Sequence, residues 1–406
     1  SNKYPIFSIL DLRYLRYCFF MAEIKNLKKA AQRIKKAIEK KEKILLFSDS
    51  DLDGVTSLIV LEEAIKSLGG EIRALCFSER NLKEMYGLNR EAIDFFKKYS
   101  PALLITLDCG ITNFEEIELA KKIGLETIII DHHQILDKIP KASIVVDPKQ
   151  KGDNYPFKEL AAVGISYYLA QLLLENKESP ALKKSFIELT ALGTLADMMK
   201  ESEDNQVFIE EGIPSLRETS RPGLRALLKI VDRAEDSPKQ IARKVISLLN
   251  ITEVKDHLPK SYLLLVSSDE SKAEKIAKEL LEKAQERRLK IREVTQEIEE
   301  KFDSQNPGSV IFEGSENWPL VLTGAVASRI CNKFKKPTFI FKKGEQISKG
   351  SVRTPKGIDS IKAMKRCGSL LEVFGGHSQA SGFTVKNENL AQFQQCLTDY
   401  FDNLKL

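Results

Sequence analysis

Along the first 150 residues, short and continuously apolar runs alternate with stretches of helical period. Ile44-Leu45-Leu46-Phe47, Leu103-Leu104-Ile105-Thr106-Leu107, Thr127-Ile128-Ile129-Ile130 and Ser143-Ile144-Val145-Val146 predict strands, with a further one over 72–77. The first forty residues read as helical, with Leu27, Ala30, Ala31, Ile34, Ala37 and Ile38 on one face. Helical patterns also cover Val55 to about Leu68 and roughly 113–123. Strands that are apolar throughout and separated by helices predict a parallel sheet covered on both faces. Such a sheet binds its ligand at the carboxyl ends of its strands.

Beyond about 159 the pattern is helical to 200, and helical segments continue to about 249. Ser267 to Phe302 predicts one long, charged helix, with Ser267 and Glu270 as a capping box. At 1.5 Å per residue it would span about 50 Å, long enough to join two domains rather than sit in one core. The remainder is richer in glycine. Its strand candidates are Val321-Leu322, Thr338-Phe339-Ile340-Phe341 and Gly382-Phe383-Thr384-Val385. The expected organisation is α/β: a parallel-sheet domain over 1–266, a linking helix over 267–303 and a smaller α/β domain over 304–406.

Chemistry enters at the strand ends. Four successive candidate strands each run into an aspartate: Asp49, Asp108, Asp131 and Asp147. Adjacent parallel strands would bring these carboxylates together, where they repel unless a cation lies between them. Asp49, Asp51 and Asp53 alternate along the chain, so in extended backbone they share one side. An EF-hand calcium loop fails, because its twelfth position is Val60 rather than Glu. Carboxylates with imidazole favour Mn²⁺ over Ca²⁺. The chain has four histidines. His132 and His133 directly follow Asp131, His377 follows Gly375-Gly376, and His257 sits in a charged stretch.

The length of 406 residues suits two or three domains. Hydrophobic residues at 42% and charged residues at 30% exclude disorder, collagen-like sequence and a disulfide miniprotein. The formal charge of +5, from 63 basic and 58 acidic residues, permits an anionic partner without demanding one. No apolar run reaches the roughly 18–20 residues of a membrane helix, and Ser1-Asn2-Lys3 opens no signal peptide. The six cysteines include no CxxC pair, so reduced thiols and a cytoplasmic location are expected.

Taken in order, Asp49-Ser-Asp51-Leu-Asp53-Gly54, Asp108-Cys-Gly, Asp131-His132-His133 and Gly193-Thr-Leu-Ala-Asp197 resemble the motifs of the DHH phosphoesterase superfamily. Gly350-Ser351-Val352-Arg353 and Gly375-Gly376-His377 resemble those of its DHH-associated domain. Tyr155-Pro156-Phe157-Lys158-Glu159-Leu160, Arg221-Pro222-Gly223-Leu224, the long helix and Gly324-Ala-Val-Ala327-Ser328-Arg329 are similar to the RecJ branch, single-strand-specific 5′→3′ exonucleases.

The resemblance implies an active site in the interdomain cleft and two divalent cations, Mn²⁺ preferred and Mg²⁺ as alternative. Asp49 and Asp51 would hold one and Asp53, His132 and Asp197 the other, with Asp108 bridging. Asp131 would orient a histidine, and His133 would face the scissile phosphate. Ser351, Arg353, Gly375, Gly376, His377, Arg329 and Arg80 would bind substrate. The implied reaction is two-metal hydrolysis of single-stranded DNA, ahead of RNA, to 5′-mononucleotides in repair or recombination. A single-strand-binding protein or helicase is the implied partner, and no membrane is.

Some features depart from the RecJ pattern. The Asn-Ala-x-Gly-Arg motif is replaced by Leu249-Asn250-Ile251-Thr252-Glu253-Val254, Trp318-Pro319 lacks the usual His, and Arg80 is displaced by one residue before Glu84-Met85-Tyr86-Gly87. No OB-fold is expected within these 406 residues. The competing expectations are a phosphodiesterase for short oligonucleotides or cyclic dinucleotides, a non-catalytic replication scaffold and a pyrophosphatase. The scaffold is disfavoured by the full ligand set, and the pyrophosphatase by Gly375-Gly376-His377.

Overall fold

A computed structural model of the chain describes residues 23–78, 87–135, 138–175, 177–251, 254–303 and 308–404. Helix α1 (Leu27–Glu39) precedes a wholly parallel sheet of β1 (Ile44–Ser48), β2 (Ile72–Phe77), β3 (Ala102–Leu107), β4 (Leu125–Ile130) and β5 (Ile144–Val146). The strand order is β2-β1-β3-β4-β5. Helices α2 (Leu52–Ser67), α3 (Arg90–Lys97) and α4 (Phe114–Lys122) alternate with the strands.

Successive strand side chains point to opposite faces. Ile44, Leu46, Ile105 and Ile128 therefore join one core with Val55, Leu58 and Ile59 of α2. Leu45, Phe47, Leu104 and Ile129 join another with Ile93 and Phe96 of α3 and Ile117 of α4. Burial on both faces is the reason these strands read as unbroken apolar runs.

The helical stretch expected over 159–200 is two helices, α5 (Ala162–Leu174) and α6 (Pro180–Ala196). The first stops at Glu175, whose φ of +54° takes the chain out of the helix. Ser179 caps the second by accepting from the Leu182 amide, with Pro180 in the first turn. Helices α7 (Glu203–Ser215), α8 (Pro222–Val231) and α9 (Pro238–Leu249), a hairpin of β6 (Val254–Lys255) and β7 (Leu258–Pro259), and α10 (Lys260–Leu265) complete this part.

Helix α11 (Glu270–Asp303) is continuous over 34 residues. Asp269, not Ser267, caps it: Asp269 Oδ1 accepts from the Lys272 amide at 2.8 Å, while the Ser267 hydroxyl donates to the Asp269 carbonyl. Ala273, Ile276, Ala277, Leu280 and Ala284 lie in the first core. Ile291, Val294 and Ile298 lie in the core of the second unit.

That unit has a sheet ordered β11-β12-β10-β9-β8, built from β8 (Ile311–Ser315), β9 (Thr338–Lys343), β10 (Ile347–Arg353), β11 (Leu371–His377) and β12 (Ala380–Lys386). Pairing is antiparallel except between β8 and β9. Val326, Ala327 and Ile330 of α12 (Thr323–Phe334) pack with Ile340 on one face. Ala363 and Met364 of α13 (Ser360–Arg366) and Phe393 and Leu397 of α14 (Leu390–Asn403) pack with Phe339, Phe341 and Phe383 on the other.

Val321-Leu322 is not a strand. It lies in a single 3₁₀ turn over Leu320–Leu322 that leads into α12. Trp318 is buried and donates to Glu297 Oε2 at 3.0 Å, so it belongs to the core. The cysteines also differ from expectation. Cys367 and Cys396 form a disulfide, because the packing of α13 on α14 brings their Cα atoms to 6.1 Å. Cys76, Cys109 and Cys331 are buried free thiols, and Cys18 lies outside the described residues. Among the described residues no helix is long and apolar enough to cross a membrane.

Candidate active site

The strand ends of β1, β3, β4 and β5 are neighbours in the sheet, so Asp49, Asp108, Asp131 and Asp147 follow one another along its carboxyl edge. All four are buried. The turn after β1 places the other two alternating aspartates. Asp51 caps α2, accepting from the Gly54 amide at 3.1 Å. Gly54 cannot be replaced without moving backbone, since a Cβ there would lie 2.4 Å from the Asp49 carbonyl oxygen. Asp53 faces the start of α5, where its oxygens accept from the Ala162 and Val163 amides at 2.8 and 2.9 Å. Unsatisfied amides and the helix dipole stabilise a carboxylate there.

Asp108 adopts a left-handed backbone, φ +56°, which aspartate tolerates better than most residues. Its Oδ1 lies 3.2 Å from His132 Nε2. The same nitrogen is 3.6 Å from Asp53 Oδ2 and 3.5 Å from Asp197 Oδ2, and it makes no hydrogen bond. Asp197 is the C-cap of α6. One ligand atom each from Asp53, Asp108 and His132 lies within 4.8 Å of the others, as does one each from Asp49, Asp51 and Asp108. The two groups share Asp108.

Asp131 has a different role. Its Oδ1 accepts from the amides of His132 and His133 and from His133 Nδ1 at 2.8 Å, and its Oδ2 accepts from the Ile111 amide. Burial alone would raise its pKa, but His133 and these amides hold it below the usual carboxylate range. Burial likewise opposes charge on His133, but the charge and hydrogen bond of Asp131 lift that imidazole to about 9. Burial and the neighbouring carboxylates push Asp53 and Asp108 well above their ordinary values. The cluster therefore resists full ionisation unless positive charge enters it.

The second sheet supplies the opposite wall. His377 Nε2 lies 3.9 Å from Asp197 Oδ2, and its ring stacks on His133 with centroids 5.5 Å apart. In the antiparallel register His377 pairs Ala380 and Ala380 pairs Arg353, while Gly375 pairs Gly382 and Gly382 pairs Ser351. Directly paired residues share a face, so Arg353, Ser351, Gly375 and His377 project to one side. The start of α12 meets this row. Thr323 Oγ1 is 2.9 Å from Ser351 Oγ, and a Cβ on Gly324 would lie 3.3 Å from Arg353 Nη2. A hydroxyl pair, a guanidinium and first-turn amides make a site for an anion. Gly375 has open space over it, whereas the φ of +119° at Gly376 and its approach to Ala380 fit glycine alone.

Arg329 lies exposed on α12, with no hydrogen bond or ion pair to any described residue. Arg80 lies outside the described residues. His257 is not part of these groups; its ring lies tilted against Phe95 at 4.4 Å and its Nδ1 is 3.6 Å from Cys76 Sγ. Sequence reasoning missed Ser78, whose hydroxyl donates to Asp49 Oδ1 at 2.5 Å, as well as Thr323 and Lys149. No pattern marked the first two, since each meets its partner only through the fold. Lys149 carried one signal, its place just after the fourth strand-ending aspartate.

Asp147 yields a prediction of its own. Burial and the charge of Asp131 raise its pKa to about 8. A carboxyl raised on folding stays neutral while its unfolded counterpart ionises near 4, so stability is lost as pH climbs from there to 8. Asp147→Asn should raise the metal-free Tm at pH 8, by up to a few kcal/mol in stability, and change it little at pH 5. Calorimetric melting at both pH values checks this; equal shifts at both would contradict it.

The family description "DHH family, N-terminal domain" matches residues 43–194, and "DHHA1 domain" matches 308–403. Over 386 residues, 94% of its length, the chain is 33% identical to the single-stranded-DNA-specific exonuclease RecJ of Bacillus subtilis (strain 168). It spans about half of that relative, 48% of its length. Its fold is similar to the crystal structure of RecJ in complex with Mn²⁺ from Thermus thermophilus, with a TM-score of 0.79 at 25% identity, covering 94% of this chain and 55% of that one. A crystal structure of exonuclease RecJ bound to manganese superposes with a TM-score of 0.74 at 25% identity, covering 94% and 95% of the two chains.

Proposed function

We propose, because this chain belongs to the DHH superfamily as a RecJ-like member, that it is a divalent-metal-dependent exonuclease. In this reading it shortens single-stranded DNA from the 5′ end and releases 5′-mononucleotides. The observation that carries the reading is the meeting of two unlike walls: the aspartate-tipped ends of β1, β3 and β4 face His377, Ser351 and Arg353 of the second sheet. One wall suits cations and the other suits an anion. A nucleic-acid end presented for hydrolysis needs both.

Asp49, Asp51 and Asp108 would hold one divalent cation, and Asp53, His132 and Asp197 with the same Asp108 a second. The donors fit such ions. They are hard carboxylates with one imidazole, and His132 Nε2 faces three carboxylates without a hydrogen bond of its own. When bound, the ions would offset the charge of a phosphodiester and make water acidic enough to attack phosphorus near neutral pH. Mn²⁺ is the first choice and Mg²⁺ the alternative.

The protein's own groups do the rest. Asp131 keeps His133 protonated and oriented, so the ring brings positive charge to the substrate phosphate. Ser351, Arg353 and the first turn of α12 take a terminal phosphate, and Gly375 leaves room for the sugar-phosphate chain to approach. These assignments divide the molecule into a catalytic unit over 1–266, a linking helix and a substrate-binding unit over 304–406.

The test is a product ladder on single strands labelled at the 5′ or the 3′ end, in several lengths, with Mn²⁺. A 5′ label should leave as mononucleotide from the first turnover, and a 3′ label should shorten stepwise. Activity confined to two- to five-mers would replace this reading with that of a short-oligonucleotide phosphodiesterase.

A further inference from the structure

Lys149 stands two residues after the aspartate that ends β5. Its root is fixed, because its amide donates to Asp147 Oδ1 at 2.7 Å and both Asp147 and Pro148 are buried. From there the side chain turns back over the cluster, and its ammonium donates to the His132 carbonyl oxygen at 2.5 Å. That carbonyl belongs to the residue whose ring meets Asp53, Asp108 and Asp197. The ring of that same residue lies against those of His133 and His377. Those rings lie 4.8 to 5.5 Å apart, and one of them comes from the second sheet.

The surroundings give this ammonium an unusual position. It is half-buried beside a cluster of aspartates, yet among the described residues it makes no ion pair with any carboxylate. An ammonium carries three N–H donors and no acceptor. One is spent on the His132 carbonyl. Among the described residues no acceptor takes the other two. A half-buried ammonium with two unspent donors gains most from an anion that the substrate supplies.

We propose that Lys149 binds the substrate phosphate, donating its two remaining N–H groups to a non-bridging oxygen beside His133 and His377. The assignment rests on the exonuclease reading and adds to it a cation contributed by the loop after β5. Lysine suits the task as a compact point charge that needs no planar, two-oxygen partner. Its bond to the His132 carbonyl holds it at the substrate while leaving the ligating edge of that ring unobstructed.

A cycle of protein and substrate changes tests the claim. Single strands are prepared with either a normal phosphodiester or an uncharged methylphosphonate at the terminal linkage. Their affinities are measured for the wild type, Lys149→Met and Lys149→Arg in Ca²⁺, under conditions where turnover is undetectable. The wild type should lose about tenfold or more in affinity when the linkage is neutralised, in line with a charge-assisted hydrogen bond. Lys149→Met should show a penalty several-fold smaller than that of the wild type, since the cations and His133 still meet the charge, and Lys149→Arg should recover most of the wild-type penalty. Mn²⁺ titration of all three proteins should give the same stoichiometry, which separates loss of a phosphate contact from damage to the ligand loop. Equal penalties in the wild type and Lys149→Met would overturn the assignment and leave the exonuclease reading intact. A wild type that binds neither strand would overturn both.

Discussion

Asp108→Ala should abolish hydrolysis with Mn²⁺, lowering single-turnover release of a 5′-labelled nucleotide by about 10³-fold or more, equivalent to at least ~4 kcal/mol. The reason is that Asp108 is common to both ligand groups, so its loss weakens two cation sites at once. The protein should nevertheless stay folded. Burial and four other carboxylates already raise the Asp108 pKa, which means that its charge opposes folding in the metal-free protein. Alanine tolerates the left-handed backbone less well than aspartate, so Asp108→Asn serves as the companion variant. It keeps size and backbone preference while removing charge, and its metal-free Tm should exceed that of the wild type. The sign follows from linkage. A carboxyl whose pKa rises on folding costs stability increasingly above the unfolded value near 4, so the gain should be larger at pH 8 than at pH 5. Turnover within tenfold of wild type would remove Asp108 from the shared position.

The second large effect concerns the other wall. Arg353→Ala should raise KM for a 5′-phosphorylated strand by about 10- to 100-fold, the range of one charge-assisted contact. It should bring that KM close to the value for a 5′-hydroxyl strand. Arg353 lies two strands from His377, across Ala380, on the face that also carries Ser351, and its Nη2 reaches the first turn of α12. It ligates no cation, so Mn²⁺ stoichiometry by calorimetry should not move. A KM ratio between phosphorylated and hydroxyl ends that equals the wild-type ratio would exclude Arg353 from end recognition.

Much of this site could be read from the chain. A buried parallel strand has no packing reason to end in a carboxylate, so repetition at Asp49, Asp108, Asp131 and Asp147 pointed to one edge before any fold was known. The alternation of Asp49, Asp51 and Asp53 was equally visible. Other features depend on contacts between distant segments. The amides that receive Asp53 lie 109 and 110 residues downstream. The approach of His377 to Asp197 needs both units in place. Local pattern also misled. Ser267 has the spacing of a capping box, yet the helix begins later, with Asp269 accepting from the Lys272 amide and the Ser267 hydroxyl spent on the Asp269 carbonyl. Val321-Leu322 is apolar because Leu322 buries under α12, not because it extends into a strand. The pairing of Cys367 with Cys396 rests on how two helices pack, which spacing alone does not reveal.

Helix α11 roots one end in each core and crosses the interval between Ala284 and Ile291 without burying a single side chain. It thereby acts as a ruler. Each added residue there would rotate everything downstream by about 100° and carry it forward 1.5 Å. One insertion would swing His377 and Arg353 away from the aspartates although every strand and both cores stayed intact. Substitutions that keep its residue count should therefore be tolerated better than any insertion, except at Arg287 and Arg288, which bond the Asn250 carbonyl and the Ser247 hydroxyl.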